Sequence, residues 1–281
     1  MFRVQLFDTE QGLGPNWVSL DRIPANILRP TLTNLYSKGA SISTISSLTS
    51  MPRERIRLLL HEARVEMRHT HAIYHEPSME LNFDSSLLLG LHAGDGFLSQ
   101  SWGIAVGGRD KMMGEQVIGL VRRVLGVEPG ISRKRDNYFV IRSAKRQVFD
   151  FFEHYGFTKG RKATTVAVPP LVASSTDIQV IIGFLRGAFS ADGCFSFRGN
   201  WGQCRFVVSS VSFRDGFVEL AGKLGFKFKS YSYEHRTGHN KLPLNTAYIG
   251  SREEVIRWME TVGSICDTYL ERYDNWRSKR F

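Results

Sequence analysis

The sequence of 281 residues has few cysteines and no long apolar segment. Its three cysteines, Cys194, Cys204 and Cys266, show no CxxC spacing, which excludes a disulfide scaffold and a zinc ribbon. No apolar run approaches the roughly 20 residues that cross a bilayer. The N-terminal MFRVQLFDTE contains acidic residues, which signal and transit peptides avoid. We therefore expect an intracellular protein of a reducing compartment.

Acidic residues are also scarce relative to basic ones. The chain has 37 Lys and Arg against 27 Asp and Glu, a net charge of +10. The imbalance is uneven, because residues 1–80 carry a net charge of +1 and residues 81–281 carry +9. With 42% hydrophobic residues the chain can bury a core, so the basic excess is not that of a disordered tail. A polyanionic partner is indicated, mainly for the larger C-terminal part.

Residues 1–80 are predicted to form a small helical domain that ends in a linker. Apolar residues at helical spacing after Thr31 predict a first helix that stops at Gly39. Ser41 is then placed to cap a second helix. Ser50-Met51-Pro52 then predicts the start of a third helix, capped by Ser50 and extending to Arg68. A short helix, a turn and a longer helix with basic residues resembles a DNA-binding helix-turn-helix. Three arginines of the third helix are the candidate DNA contacts: Arg53, Arg55 and Arg57.

Beyond residue 80 the sequence repeats itself. SLLLGLHAGDGFLS begins at Ser86 and IIGFLRGAFSADGCFSF begins at Ile181. Each is an apolar helical run that ends in Asp-Gly and continues into an alternating strand region. The pattern predicts the element order αββαββα twice, with the two aspartates 97 residues apart. We expect an α+β fold built from a pseudo-two-fold pair of units with antiparallel sheets: unit 1 at 81–157, a linker at 158–176 and unit 2 at 177–281.

The two repeated helices carry small residues along one face. Ser86, Gly90 and Gly94 recur at every fourth position in the first helix. Glycine inside a helix costs about 1 kcal/mol relative to alanine, so the stripe needs a reason. The second helix has the same stripe, made of Gly183, Gly187 and Ala191. Close packing of one helix on the other would supply that reason.

An aspartate followed by glycine ends each stripe. Gly96 and Gly193 can adopt the left-handed conformation that terminates a helix. Asp95 and Asp192 would then lie at the negative end of a helix dipole, where a carboxylate is unfavourable. They would also repel each other if the helices pack together. A cation would offset both effects, and Mg²⁺ accepts such a pair because it takes a few carboxylates and completes its shell with water and phosphate.

LLGLHAGDG at Leu88–Gly96 and LRGAFSADG at Leu185–Gly193 resemble the two motifs of monomeric LAGLIDADG homing endonucleases. The resemblance covers residues 81–281. It implies saddle-shaped sheets that lie in the DNA major groove, and Mg²⁺-dependent cutting of both strands across the minor groove that leaves 3′ overhangs. Mn²⁺ or Ca²⁺ could substitute in the site. By position, the metal-binding residues are Asp95 and Asp192, with Gly94 and Ala191 beside them.

The resemblance also implies a basic residue near each acid, which activates water or steadies the scissile phosphate. Lys162, after the first unit, and Arg272, after the second, are the candidates by position. The motifs depart from the family pattern at His92 and Ala93 and at Phe189 and Ser190. These positions precede the catalytic acids, and His92 is interpreted as a packing or DNA-proximal residue rather than a metal ligand.

DNA recognition is expected from the strands, where Arg pairs with guanine and Asn or Gln with adenine. The candidates in unit 1 are Ser99, Gln100, Trp102, Arg133, Lys134, Arg135 and Asn137. Those in unit 2 are Arg198, Asn200, Gln203, Arg205, Lys229, Tyr231, Tyr233, Arg236, His239 and Lys241.

The sequence thus predicts a monomeric, site-specific endonuclease that acts on double-stranded DNA and is cytoplasmic or nucleoid-associated. A non-cleaving DNA-binding transcription regulator on the same fold is an alternative, although such regulators tend to lose the acids that are present here. An intron maturase that binds intron RNA is a third.

Overall fold

The computed structural model describes residues 3–6, 16–19, 25–67, 76–107, 110–135, 138–234 and 243–279. The chain divides into two compact units, Met1–Ile73 and Tyr74–Phe281. Within the described residues no helix has both the length and the apolar character needed to span a membrane.

In its described residues the first unit has a two-stranded antiparallel sheet and three helices, and the helices share a small core. Its core includes Leu32, Ile45, Ile56 and Leu60. The elements are β1 (Arg3–Leu6), β2 (Asn16–Ser19), α1 (Ala25–Ser37), α2 (Ile42–Thr49) and α3 (Arg53–Glu62). Ser41 caps α2, as predicted, because its side chain accepts a hydrogen bond from the Thr44 amide at 3.0 Å.

Helix α3 begins at Arg53, as predicted, but its predicted cap and its predicted end are wrong. Ser50 does not cap α3 but ends α2, with a left-handed φ of 54° that turns the chain between the two helices. Pro52 stands before α3 without a side-chain cap. The helix ends at Glu62 instead of Arg68, because Arg64 adopts a positive φ of 55° that helical backbone does not allow.

The second unit contains the two predicted αββαββα repeats. The first repeat is α4 (Phe83–Asp95), β3 (Gly96–Leu98), β4 (Trp102–Gly107), α5 (Lys111–Leu125), β5 (Gly130–Arg135), β6 (Tyr138–Ser143) and α6 (Arg146–His154). The second is α8 (Ile178–Asp192), β7 (Gly193–Arg198), β8 (Trp201–Val208), α9 (Val211–Lys223), β9 (Lys229–Glu234), β10 (Pro243–Ile249) and α10 (Arg252–Thr261). Two helices were not predicted: α7 (Pro170–Ala173), within the linker, and α11 (Asp267–Arg277), after the second repeat.

Each repeat forms one four-stranded antiparallel sheet, with the order β3-β4-β6-β5 in the first and β7-β8-β10-β9 in the second. One face of each sheet packs on the helices. In β8 every second residue from Gly202 to Val208 is buried, which matches the period of a half-buried strand. The equivalent residues of β4 are Trp102, Ile104 and Val106. The opposite face of each sheet, the open face, is turned away from those helices.

Helices α4 and α8 pack directly on each other along the predicted stripes. A Cβ atom on Gly90 would lie 2.8 Å from the Ala188 backbone nitrogen, and one on Gly187 would lie 2.8 Å from the Leu91 nitrogen. Both distances are shorter than real Cβ contacts, so only glycine permits this approach of the two backbones. The predicted reason for the stripe is confirmed.

The predicted left-handed conformation of Gly96 and Gly193 is wrong. Gly96 has a φ of −75° and Gly193 a φ of −81°, both with extended ψ. Glycine is needed there for space, because each helix turns directly into a strand that runs back past its last turn. A Cβ on Gly96 would lie 2.6 Å from the carbonyl oxygen of His92, and one on Gly193 would overlap Phe189.

Candidate active site and nucleic-acid interface

An acidic centre lies where the two packed helices end. Asp95 is the last residue of α4 and Asp192 the last residue of α8. A Cβ on Gly94 would lie 2.9 Å from a carboxylate oxygen of Asp192, so the acid of one repeat lies against the helix of the other. The glycine stripes that let the helices approach therefore also bring the two acids together.

Lys162 projects from the linker into this centre. Its ammonium group donates hydrogen bonds of 2.5 Å to the carbonyl oxygens of Ala93 and Gly94. These carbonyls belong to the last turn of α4, where the helix dipole is negative. Lys162, Asp192 and Gly94 also line a cleft of about 160 Å³ together with the end of β8. The structure therefore brings three of the predicted site residues, Lys162 and both aspartates, into one place.

The acidic centre shifts the pKa of each of its charged groups. Burial first, and then the charge of Asp95, raise the pKa of Asp192 to about 7, while Lys162 acts against both. Asp95 keeps an exposed side, and desolvation raises the pKa of its carboxyl less, to about 6, again against Lys162. Burial lowers the pKa of Lys162 to about 8, although the two aspartates raise it. The two carboxylates are thus costly to ionise unless a cation stands beside them.

The donor set suits a hard divalent cation. It consists of two carboxylates and the carbonyl oxygens at the end of α4, and oxygen ligands are those that Mg²⁺ prefers. The ammonium of Lys162 on those carbonyls demonstrates that the position attracts positive charge. Among the described residues, no group of three or more His, Cys, Asp or Glu could hold a metal. Any metal here would complete its shell with water and phosphate, as Mg²⁺ commonly does.

Arg272, the other predicted basic residue, makes no described bond with the acids. It is exposed on α11, and no described hydrogen bond or ion pair joins it to Asp95 or Asp192. Tyr269, one turn earlier, reaches the centre instead and donates a hydrogen bond of 2.5 Å to the carbonyl of Gly193. Tyr269 was not among the predicted residues, since α11 itself was not predicted.

The open face of the second sheet collects most of the predicted DNA contacts of unit 2. Strand pairing aligns Cys194, Arg205, Tyr248 and Lys229 in one row across the sheet. The predicted residues on this face are Arg198, Gln203, Arg205, Lys229, Tyr231 and Tyr233. Asn200 lies in the turn before β8, and its carbonyl accepts a hydrogen bond from Trp276. The face presents cations, an amide and phenols, the groups that contact phosphates and base edges.

Several polar atoms on the open faces are buried but lack a hydrogen-bond partner among the described residues. On the second sheet they are Nε of Arg205 and Oγ1 of Thr246, and on the first sheet Nε of Arg142 and Oγ of Ser132. Register places all four side chains on the faces turned away from the helices. A buried polar group without a partner is unfavourable. A polar ligand on these faces would supply the missing partners.

In the first sheet, the prediction for Trp102 is wrong. Trp102 is fully buried and its indole NH donates to Nδ1 of His92 at 3.1 Å, because even-numbered residues of β4 face the helices. His92 is also buried and stacks near Phe152, which agrees with a packing role. Arg142, absent from the predicted set, faces the open side, and its alternation with Ile141 in β6 could have identified it.

Other predicted contacts lie at turns or outside the described residues. Ser99 and Gln100 are exposed in the turn between β3 and β4. Asn137, Arg236, His239 and Lys241 lie outside the described residues, as do the side chains of Arg133, Lys134 and Arg135 in β5. In α3, Arg53 donates to the Ser43 hydroxyl at 2.9 Å and Arg57 pairs with Glu54 at 2.6 Å.

Fold and site together define a pseudo-two-fold α+β protein with paired acids at the ends of two packed helices. Residues 179–263 match the family model of the LAGLIDADG-like domain. This range covers α8 to α10, the second repeat. No curated relative matches the chain.

The chain is also similar to several solved structures. Variants of the homing endonuclease I-DmoI are 15% identical, over 64% of this chain and 95% of theirs, with a TM-score of 0.47. The N-terminal LAGLIDADG domain of DUF199/WhiA is 16% identical over 71% and 90%, with a TM-score of 0.45. The I-SmaMI LAGLIDADG homing endonuclease bound to cleaved DNA is 11% identical over 72% and 89%, with a TM-score of 0.46.

Proposed function

We propose that the second unit is a site-specific endonuclease that hydrolyses both strands of duplex DNA with a divalent metal, and that it acts as a monomer. The observation that carries the proposal is the meeting of Asp95 and Asp192 at the ends of two packed helices. Each acid stands at the start of a sheet whose open face carries unpartnered polar groups. A duplex laid along both sheets would bring its phosphates to the acids.

Different residues of the chain would have different roles in such a reaction. Asp95 and Asp192 would hold Mg²⁺, with the carbonyls of Gly94 and Ala191 as nearby oxygen donors. Once bound, the metal would polarise the scissile phosphate and lower the pKa of an attacking water. Lys162 keeps a positive charge at neutral pH, since the pKa of its ammonium group is about 8, and it can neutralise charge on the phosphate. We propose cutting across the minor groove with 3′ overhangs.

Recognition of the target would come from the two open faces. Arg198, Arg205 and Arg142 offer forked donors for phosphates or guanine, and Gln203 offers an amide for adenine. For the first unit we propose the helix-turn-helix role, in which α3 contacts DNA. The pairs of Arg53 with Ser43 and of Arg57 with Glu54 lie at the surface, where such pairs are weak and can exchange for phosphates.

A second candidate is a DNA-binding protein that does not cut. The observation in its favour is the ammonium of Lys162, which already supplies positive charge beside both acids. If that charge suffices, the acids need no metal, and the open faces bind DNA without hydrolysis.

A cleavage selection separates the two. Purified protein with Mg²⁺ is incubated with a randomised duplex library, and cut ends are sequenced. Asp95→Asn and Asp192→Asn are run in parallel, with Asp84→Asn as the matched control, because Asp84 lies at the opposite end of α4 and pairs with Arg123 at the surface. We expect enriched ends from the wild type and the control only. Salt-sensitive capture of particular sequences without cutting would favour the second candidate.

A further inference from the structure

We propose that the first turn of α11 joins the two repeats at the acidic centre, and that Tyr269 is a positioning residue for one half of the site. The inference rests on the endonuclease function proposed above. It assigns a role to a helix that lies outside the repeated αββαββα pattern.

Helices α5 and α11 cap each other's N-termini. Asp110, just before α5, accepts hydrogen bonds from the backbone amide of Thr268 at 3.1 Å and from its hydroxyl at 2.8 Å. Asp267 of α11 accepts one from the amide of Met112 in α5 at 2.9 Å. Each aspartate thus satisfies an unpaired amide of the other helix and lies at its positive end. Since α5 belongs to the first repeat and α11 follows the second, this exchange of caps fixes α11 against the first repeat.

Tyr269 directly follows this exchange and points to the acids. Its hydroxyl donates to the carbonyl of Gly193, the residue after Asp192, and its ring packs near Phe189. Burial raises the pKa of Tyr269 well above its ordinary value, with smaller contributions from neighbouring groups that include Asp95. The phenol therefore stays protonated and acts as a donor that holds the backbone beside Asp192.

The two halves of the centre are consequently unequal. At the end of α4 the carbonyl of Ala93 receives the ammonium of Lys162. At the equivalent position of α8, the hydroxyl of Ser190 pairs with the hydroxyl of Ser264 at 3.1 Å, and the nearby donor is the neutral Tyr269. The charge of Lys162 lies beside both acids, but its hydrogen bonds hold only the end of α4, whereas a neutral phenol holds the backbone after α8. We therefore expect the two DNA strands to be cut at different rates, with a nicked intermediate.

The test uses the full chain on a duplex that carries the selected target, with each strand labelled separately, and on a supercoiled plasmid with the same site. Tyr269→Phe removes only the hydroxyl. The matched control is Tyr273→Phe, since Tyr273 is buried on the same helix and its hydroxyl contacts only Arg277 among the described bonds. Asp110→Asn weakens the exchange between α5 and α11 and provides a second variant.

Loss of one neutral hydrogen bond corresponds to a change of about two- to tenfold. We expect Tyr269→Phe and Asp110→Asn to slow the same strand by about that factor, to leave the other strand within about twofold, and to accumulate nicked plasmid. Tyr273→Phe should keep the wild-type strand ratio. If Tyr269→Phe slows both strands equally, or neither, the inference is overturned while the endonuclease stands. If the wild-type protein cuts no sequence, both the inference and the proposed endonuclease function are overturned.

Discussion

Replacing Asp192 by asparagine should stabilise the metal-free protein at alkaline pH. The pKa of Asp192 is raised from 3.8 to about 7, first by burial and then by Asp95. Between these two values the folded chain retains a proton that the unfolded chain has released. Stability of the wild type therefore falls as pH rises through this window and stays low above it. Asparagine has no proton to lose, so the variant escapes this loss.

The size of the effect follows from the shift. A rise of about three units, at 1.36 kcal/mol per unit, gives an upper limit of about 4 kcal/mol. The side chain is only partly buried, so solvent screening reduces the gain to about 2 kcal/mol. For a unit of this size, about 2 kcal/mol corresponds to a rise in Tm of roughly 4–8 °C.

The gain in Tm can be measured by thermal unfolding, monitored by circular dichroism in the presence of EDTA, at pH 4.5 and at pH 8.5. The gain should be nearly complete at pH 8.5 and small at pH 4.5. Asp95→Asn should gain less, because Asp95 is exposed and its pKa rises only to about 6. Mg²⁺ at pH 8.5 should stabilise the wild type and not the Asp192 variant. The reasoning would be refuted if Asp192→Asn were less stable than the wild type at pH 8.5, or if its gain in stability were the same at both pH values.

Two further outcomes test the helix pair and the open faces. Gly187→Ala should destabilise the fold by about 1–3 kcal/mol in urea, because its Cβ would lie 2.8 Å from the Leu91 nitrogen. Gly222→Ala, in a helix where a Cβ would meet nothing within 4 Å, should instead stabilise by about 0.4–1 kcal/mol. Arg205→Gln should lower the slope of log affinity for DNA against log salt by about 0.9, if Arg205 contacts a phosphate. An unchanged slope would place Arg205 off the phosphates.

The repeated pattern made the body of the fold predictable. Two apolar helical runs with glycines at every fourth position led to the packed pair α4 and α8, and the element order followed from alternation in the strands. Local signals failed where tertiary contacts decide the conformation. Gly96 and Gly193 each lie at a helix–strand junction where space, rather than a positive φ, requires glycine.

The candidate site was predictable in part. Both aspartates follow from the motif, and Lys162 from its position after the first repeat. Tyr269 could not be found, because its approach to Gly193 depends on the exchange of caps between α5 and α11, which joins residues more than 150 positions apart. Trp102 was misplaced because an aromatic residue at the start of a strand gives no sign of which face it occupies, and its pairing with His92 settles that only in three dimensions.

The acidic centre links the fold to the choice between the two functions. The glycine stripes bring two carboxylates together at helix C-termini, and this arrangement is unfavourable until a cation neutralises it. The chain offers one cation of its own, Lys162, and the same oxygens suit Mg²⁺. Because Lys162 extends from the linker and not from the helices, its side chain can leave the carbonyls of Ala93 and Gly94 for a phosphate without disturbing the packed pair. Under the proposed endonuclease function, DNA would draw the ammonium away while a metal binds the carboxylates, whereas in the non-cutting candidate the ammonium would stay.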